Sequence, residues 1–143
     1  MTQDFTTAAA EIAEVVAGIA GIGAAPANPQ DNVNERVFAF TYLMTSVTEI
    51  SETGTMQNLA TFAVDLLTPH TNTGQNIAAL LPIVDLVNLA LITEITTVAR
   101  FFDGSIDTYE NLRWEFLPNY SYSGKQCIGY RAMLENVKQK INL

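Results

Sequence analysis

A chain of 143 residues, 48% hydrophobic and 15% charged, has the length of one domain and enough apolar content to bury a core, which excludes a disordered chain. Its 15 acidic and 7 basic side chains give a net charge of −8, which argues against gripping nucleic acid by its phosphates, since that needs a surface rich in lysine and arginine. So few charges on so apolar a chain also leave a monomer short of polar surface and favour an oligomer.

The first predicted element is a helix from Asp4 to about Ala20. Phe5, Ala8, Ala9, Ile12, Val15, Val16 and Ile19 recur at helical spacing, Asp4 can cap the start, and Gly18, Gly21 and Gly23 end it. Residues 24–35, AAPANPQDNVNE, carry two prolines and read as an extended surface connection. Arg36 to Met44 is a predicted strand, apolar on both faces and therefore expected to be central or covered on both sides. Thr45 to Thr55 is polar, either a long hairpin arm or a loop. Leu59 to Thr68 is a second strand, with Ala60, Phe62, Val64 and Leu66 on one face and Thr61, Ala63, Asp65 and Leu67 on the other. Pro69 stops it.

A helix is predicted from about Gln75 to Thr93, with Ile77, Leu80, Leu81, Val84, Val87 and Leu91 as its stripe. Pro82 must kink it or begin a second helix. The stretch to Phe102 fits frayed helix or short strand, and Asp103-Gly104 a turn. Glu110 to Leu117 is a third strand, with Leu112, Trp114 and Phe116 opposite Arg113 and Glu115. An aromatic turn, Asn119 to Gly124, leads to a fourth strand from Gln126 to about Lys138, with Ile128, Tyr130, Ala132 and Leu134 on one face. The fold class is therefore α+β in the order α-β-β-α-β-β, two hairpins forming a four-stranded antiparallel sheet with both helices on one face, in one domain spanning 1–143.

Residues that could carry chemistry are sparse. The single cysteine, Cys127, excludes an internal disulfide and a multi-cysteine metal site, and fits a buried structural thiol. The single histidine, His70, follows Pro69 at a strand end and fits an exposed loop. Asp65, amid apolar residues, is either a buried perturbed carboxylate or a group facing solvent or a neighbouring subunit. Asp103 and Asp107 flank a turn, but their spacing misses the usual calcium loop. Glu110 and Glu115 do not share a strand face. No phosphate loop, dinucleotide fingerprint, zinc-protease helix or serine elbow occurs, so neither an enzyme, a cofactor nor a metal is expected. The start has acidic residues where a secretory signal would carry lysine or arginine, and charges and Pro82 interrupt the longest apolar run, so a soluble protein outside the membrane is expected. Lys125, Arg131, Lys138 and Lys140 gather near the end, while the first 35 residues hold no basic residue. They form either a solvated strand face or the basic edge of a polarised subunit that meets an acidic edge across a ring.

The order and length of these elements, with the phrases PANPQDNVNERVFAFTY, ALLPIVDLVNLAL, FFDGSID, ENLRWEFLPNYSYSG and YSGKQCIGYRAML, resemble the tail terminator or tail-completion proteins of long-tailed bacteriophages. The resemblance covers nearly the whole chain and contains no catalytic signature. It implies a structural virion protein, assembled in the host cytoplasm. Such a protein forms a ring, commonly of six subunits, that caps the tail tube, meets the head-completion proteins and lets DNA pass an acidic lumen without binding it. On that reading the aromatic turn is a contact loop, with Tyr120, Tyr122 and the nearby Lys125 and Arg131 as interface residues. The 45–55 hairpin offers Thr48, Glu49, Ile50 and Glu52. The bland alternative for both is an exposed loop with no partner. Two other functions stand beside this one: a head-tail connector of the neck, and a small cytoplasmic ligand-binding domain with a pocket lined by Tyr42, Asp65, His70 or Trp114.

Overall fold

The computed structural model describes residues 3–23, 37–50, 54, 56–69, 73–96, 101–122 and 124–141. Helix α1 (Phe5–Ala17) begins where the Asp4 carboxylate accepts a hydrogen bond from the Thr7 N–H at 2.6 Å. That cap also holds the Asp4 carboxyl below its ordinary range. Four strands follow the expected order around α2 (Thr73–Thr96): β1 (Phe38–Ile50), β2 (Met56–Pro69), β3 (Asn111–Tyr122) and β4 (Lys125–Lys140). They form one antiparallel sheet in the spatial order β1-β2-β4-β3.

Both helices cover the same face of the sheet. Ala8, Ile12 and Val16 of α1 and Leu80, Val87 and Leu91 of α2 share one core with Ala39, Phe62, Val64, Leu66, Ala132 and Leu134. These strand residues are the alternate positions expected to face inward, so the period-2 pattern places the core. Trp114, on the same face of β3, donates its indole N–H to Asn88 Oδ1 of α2 at 2.9 Å. The Tyr109 hydroxyl donates to the Leu91 carbonyl at 2.8 Å, tying α2 to the start of β3.

Several boundaries differ from the sequence expectation. Of the two readings of the 45–50 stretch, the hairpin arm holds: β1 runs through it to Ile50, paired with β2 from Met56 onward. The fourth strand reaches Lys140, and its end pairs with Gln57 to Leu59. The third strand continues past its expected end at Leu117, through Pro118 to Tyr122. An edge strand tolerates a residue with no N–H, and the pairing with β4 shifts register between Leu117 and Tyr120. β3 ends at Tyr122 and β4 begins at Lys125, and Gly124 between them has φ +78°. Pro82 sits within one continuous helix rather than dividing two. Phe101–Gly104 forms a 3₁₀ turn.

The sequence expectation makes the first strand central or covered on both sides; β1 is an edge, so the first alternative fails and the second holds at its start. Phe38 to Thr41 are nevertheless buried, because α1 covers one side of this end and aromatic rings from the opposite edge cover the other.

Candidate functional site

On the sheet face away from the helices, the strand pairing lines up Phe40, Asp65, Arg131 and Glu115 in a single row across all four strands. Asp65 lies on a central strand and is 0% exposed. A buried carboxylate needs partners, and this one has them. Arg131 donates through Nε at 2.7 Å and through Nη2 at 3.1 Å, one to each carboxylate oxygen. The Tyr42 hydroxyl donates at 2.9 Å. Arg131 also reaches Glu115 at 3.5 Å, and its guanidinium lies 5.9 Å from the centre of the Tyr42 ring.

The titration of these groups follows from that geometry. Burial, then the Asp65 charge and hydrogen bond, push the Tyr120 phenol up to about 12. The same causes, in the same order, raise the Tyr42 phenol further. The hydrogen bonds to Asp65, with its charge, raise Arg131 above its ordinary value against the opposing effect of burial. Chemically the cluster is internally paired: one carboxylate accepts from Arg131 Nε, Arg131 Nη2 and the Tyr42 hydroxyl, and one guanidinium serves two carboxylates. It holds strands together and leaves Asp65 no lone pair aimed outward as a base.

Beside this row sits an aromatic cluster. Phe38, Phe40, Leu67 and Cys127 are buried under Tyr42, Leu117, Tyr120 and Tyr122. Tyr122, on edge strand β3, stacks on Phe40 of the other edge strand with ring centres 5.1 Å apart, and lies 5.4 Å from Phe38. Tyr120 approaches Phe40 at 6.3 Å. Rings from the two edges therefore meet over the middle of the sheet and cover a face that has no helix. Burial pushes the Cys127 thiol up, in keeping with a packing role.

These positions correct part of the sequence expectation. Tyr120 and Tyr122 are not displayed on a turn; they are half-buried and fold inward. Arg131 is held by Asp65 rather than offered to a partner, and Asp65 faces neither solvent nor a neighbour. Lys125 is exposed at the start of β4. Thr48, Glu49 and Ile50 are exposed on β1, where Thr48 Oγ1 donates to Asn58 Oδ1 at 2.8 Å and Glu49 accepts from Gln57 at 3.2 Å. Glu52 and His70 lie outside the described residues. Of the suggested pocket residues, Tyr42 and Asp65 meet, but Trp114 is on the opposite face, bound to α2. Asp107 accepts a hydrogen bond from Gln3 Nε2 at 2.8 Å.

Two features escaped the sequence reading. Glu115 completes the Asp65–Arg131 row, and only the strand register could have shown that. The outward side of α2 is also apolar: Leu81, Leu86, Leu89 and Ile92 are all exposed. The signal for this was present, since Thr73–Thr96 contains no basic residue and its apolar residues are not confined to one stripe.

No family model matches the chain, and no curated protein matches it significantly. Among the described residues, no group of histidine, cysteine, aspartate and glutamate is placed to hold a metal ion, and no helix is long and apolar enough to cross a membrane.

Proposed function

We propose that this chain is a structural subunit of a bacteriophage tail, a ring-forming terminator that caps the tail tube and joins it to the head-completion proteins. The observation that carries this reading is the way the chain distributes its side chains. Its central charged cluster is consumed inside the sheet, while among the described residues nine large apolar side chains, from Leu43 to Phe116, stay exposed. A surface of that kind suits a subunit made to be covered. The element order α-β-β-α-β-β, with four antiparallel strands and two helices, is the order that the resemblance implies. A net charge of −8 suits a lumen past which DNA slides.

The experiment is to mix purified protein with tail tubes that lack their terminal cap and to image the tips by negative-stain electron microscopy. The expected result is a ring of density at one end of each tube, with protection of the tube from further polymerisation. Binding only to the portal or head side would favour the head-tail connector reading, and no binding to either would remove both.

A further inference from the structure

The two edges of the sheet are finished differently. The β3 edge carries Pro118, a register shift and the Arg113–Glu135 pair, devices that discourage a further strand from pairing there. Phe38–Ile50 contains no lysine, arginine or proline. Its one irregularity, at Met44, separates two stretches. Phe38 to Thr41 are buried, and the Gly23 N–H donates to the Val37 carbonyl beside them. From Thr45 to Ile50 the side chains are mostly exposed, Val47 at 61% and Ile50 at 71%, and among the described residues β2 is the one strand alongside. Antiparallel pairing engages the backbone groups of alternate residues, so every second N–H and C=O of this stretch points away from β2. An extended backbone is the partner that satisfies such a row.

The side chains define what that backbone should carry. On the sheet face away from the helices, Val47, Leu59 and Lys138 form one row across β1, β2 and β4, and Glu49, Gln57 and Lys140 form the next. Glu49 stands at the outer end of its row. It accepts from Gln57 Nε2 at 3.2 Å, Lys140 lies two strands, roughly 10 Å, away, and no cation among the described residues pairs with it. The strand position beyond Glu49 therefore suits a lysine or arginine, and the position beyond Val47 an apolar side chain. On the other face Ile50 ends its pair with Met56 and suits a second apolar neighbour. The β1 strand of a second copy cannot supply the cation, because it has none. The net charge of −8 also draws a basic partner.

We propose that the outer edge of β1, from Thr45 to Ile50, is a strand-acceptor site for an extended basic segment of another protein. The segment adds a fifth strand to the four-stranded sheet, pairs its backbone with the outward N–H and C=O groups, and sets a lysine or arginine beside Glu49 and an apolar residue beside Val47. The acceptor is preformed, since β2 and residues 137–140 of β4 back this stretch, and little order has to be gained in the protein on binding. The site stands independently of the tail function proposed above.

The test uses the full chain and three fluorescein-labelled synthetic peptides of about eight residues. One alternates threonine and valine with two lysines, one has glutamate for both lysines, and one places two prolines in the middle of the lysine sequence. Fluorescence anisotropy reads affinity, and amide hydrogen exchange followed by NMR reads where the peptide lies. The lysine peptide should bind, the proline peptide should not, and the glutamate peptide should bind at least about fivefold more weakly. Glu49→Lys should reverse that preference, with circular dichroism confirming its fold. With the lysine peptide at about ten times its dissociation constant, every second amide between Thr45 and Ile50 should exchange about tenfold more slowly. Equal binding of the proline peptide, protection on α2 or β3 in place of β1, an unchanged preference in Glu49→Lys, or no binding up to about 1 mM would each overturn the acceptor site. Alternate β1 amides already protected in the protein alone, and more so at higher concentration, would overturn it as well and give the edge to a second copy. Strand addition by protein that ignores tail tubes would keep the site and remove only the terminator function.

Discussion

Asp65 and Arg131, 66 positions apart in sequence, are direct cross-strand partners on the two central strands and share two hydrogen bonds of 2.7 and 3.1 Å. The pair fixes the alignment of β2 with β4 by a charge contact in the middle of an otherwise apolar sheet. A slip of either strand by one residue would turn its member of the pair toward the helix-covered core and part the two groups.

Removing one partner should cost more than removing both. Arg131→Met leaves a buried carboxylate without its charged partner, with the Tyr42 hydroxyl still donating, and a loss of about 3 kcal/mol in urea unfolding is expected. Asp65→Leu combined with Arg131→Met should recover most of that loss, since an apolar pair of similar volume is a tolerable substitute. A double variant no more stable than the single one would show that the pair itself stabilises the fold.

Alkaline pH should weaken the protein in a window set by Tyr120. Its phenol ionises near 10 when unfolded and at about 12 when folded. Below 10 the phenol is neutral in both states and its contribution is intact. Between about 10 and 12 the unfolded chain releases the proton and the folded one keeps it, so stability falls as pH rises. Thermal unfolding from pH 9 to 12 should show this fall, and Tyr120→Phe should reduce it, leaving the part due to Tyr42, whose phenol is raised further. An equally steep fall in that variant would assign the effect to other groups.

Gly129 and Gly124 should respond to alanine very differently. A methyl group at Gly129 would run into the Leu66 carbonyl on the neighbouring strand, at the centre of the sheet. Gly129→Ala is expected to lose more than about 4 kcal/mol or to give no cooperative transition. A methyl at Gly124 meets nothing, and only its left-handed φ of +78° is penalised, at about 1 kcal/mol. Equal losses in denaturant titrations would contradict the close approach at Gly129.

The Trp114–Asn88 hydrogen bond joins the β3 edge to α2. Asn88→Ala should cost about 1 kcal/mol, with Trp114→Phe adding little once Asn88 is gone. A double-mutant cycle that shows no coupling would mean the helix is held there by packing alone.

The faces of β2, β3 and β4 were legible in the sequence because one face of each alternates apolar residues with period two. The cap at Asp4 was legible for the same local reason. The edge position of β1 was not. Its Phe38-Phe40-Tyr42 pattern reports burial, and here burial comes from Tyr120 and Tyr122, some eighty residues away. Those tyrosines misled in turn, since PNYSYSG has the composition of an exposed turn, while the pairing of Tyr120 with Cys127 and Tyr122 with Lys125 keeps it in the sheet. Asp65 was noticed as unusual, but its partner lies on a strand that no local spacing connects to it.

The end of β4 has a mechanical consequence. Residues 137–140 lie along Gln57 to Ala60, and Lys138 exchanges backbone hydrogen bonds of 2.8 Å with Asp107 and Thr108 on its other side. Gln139, fully buried, donates to the carbonyls of Asp4 and Ser105. The exposed half of β1 is thus mounted on a splint: a bare two-stranded ribbon would flex, but this one is backed by a third strand pinned to both the start of α1 and the 3₁₀ turn. Force applied at Ile50 is therefore carried into the body of the subunit through residues almost ninety positions downstream.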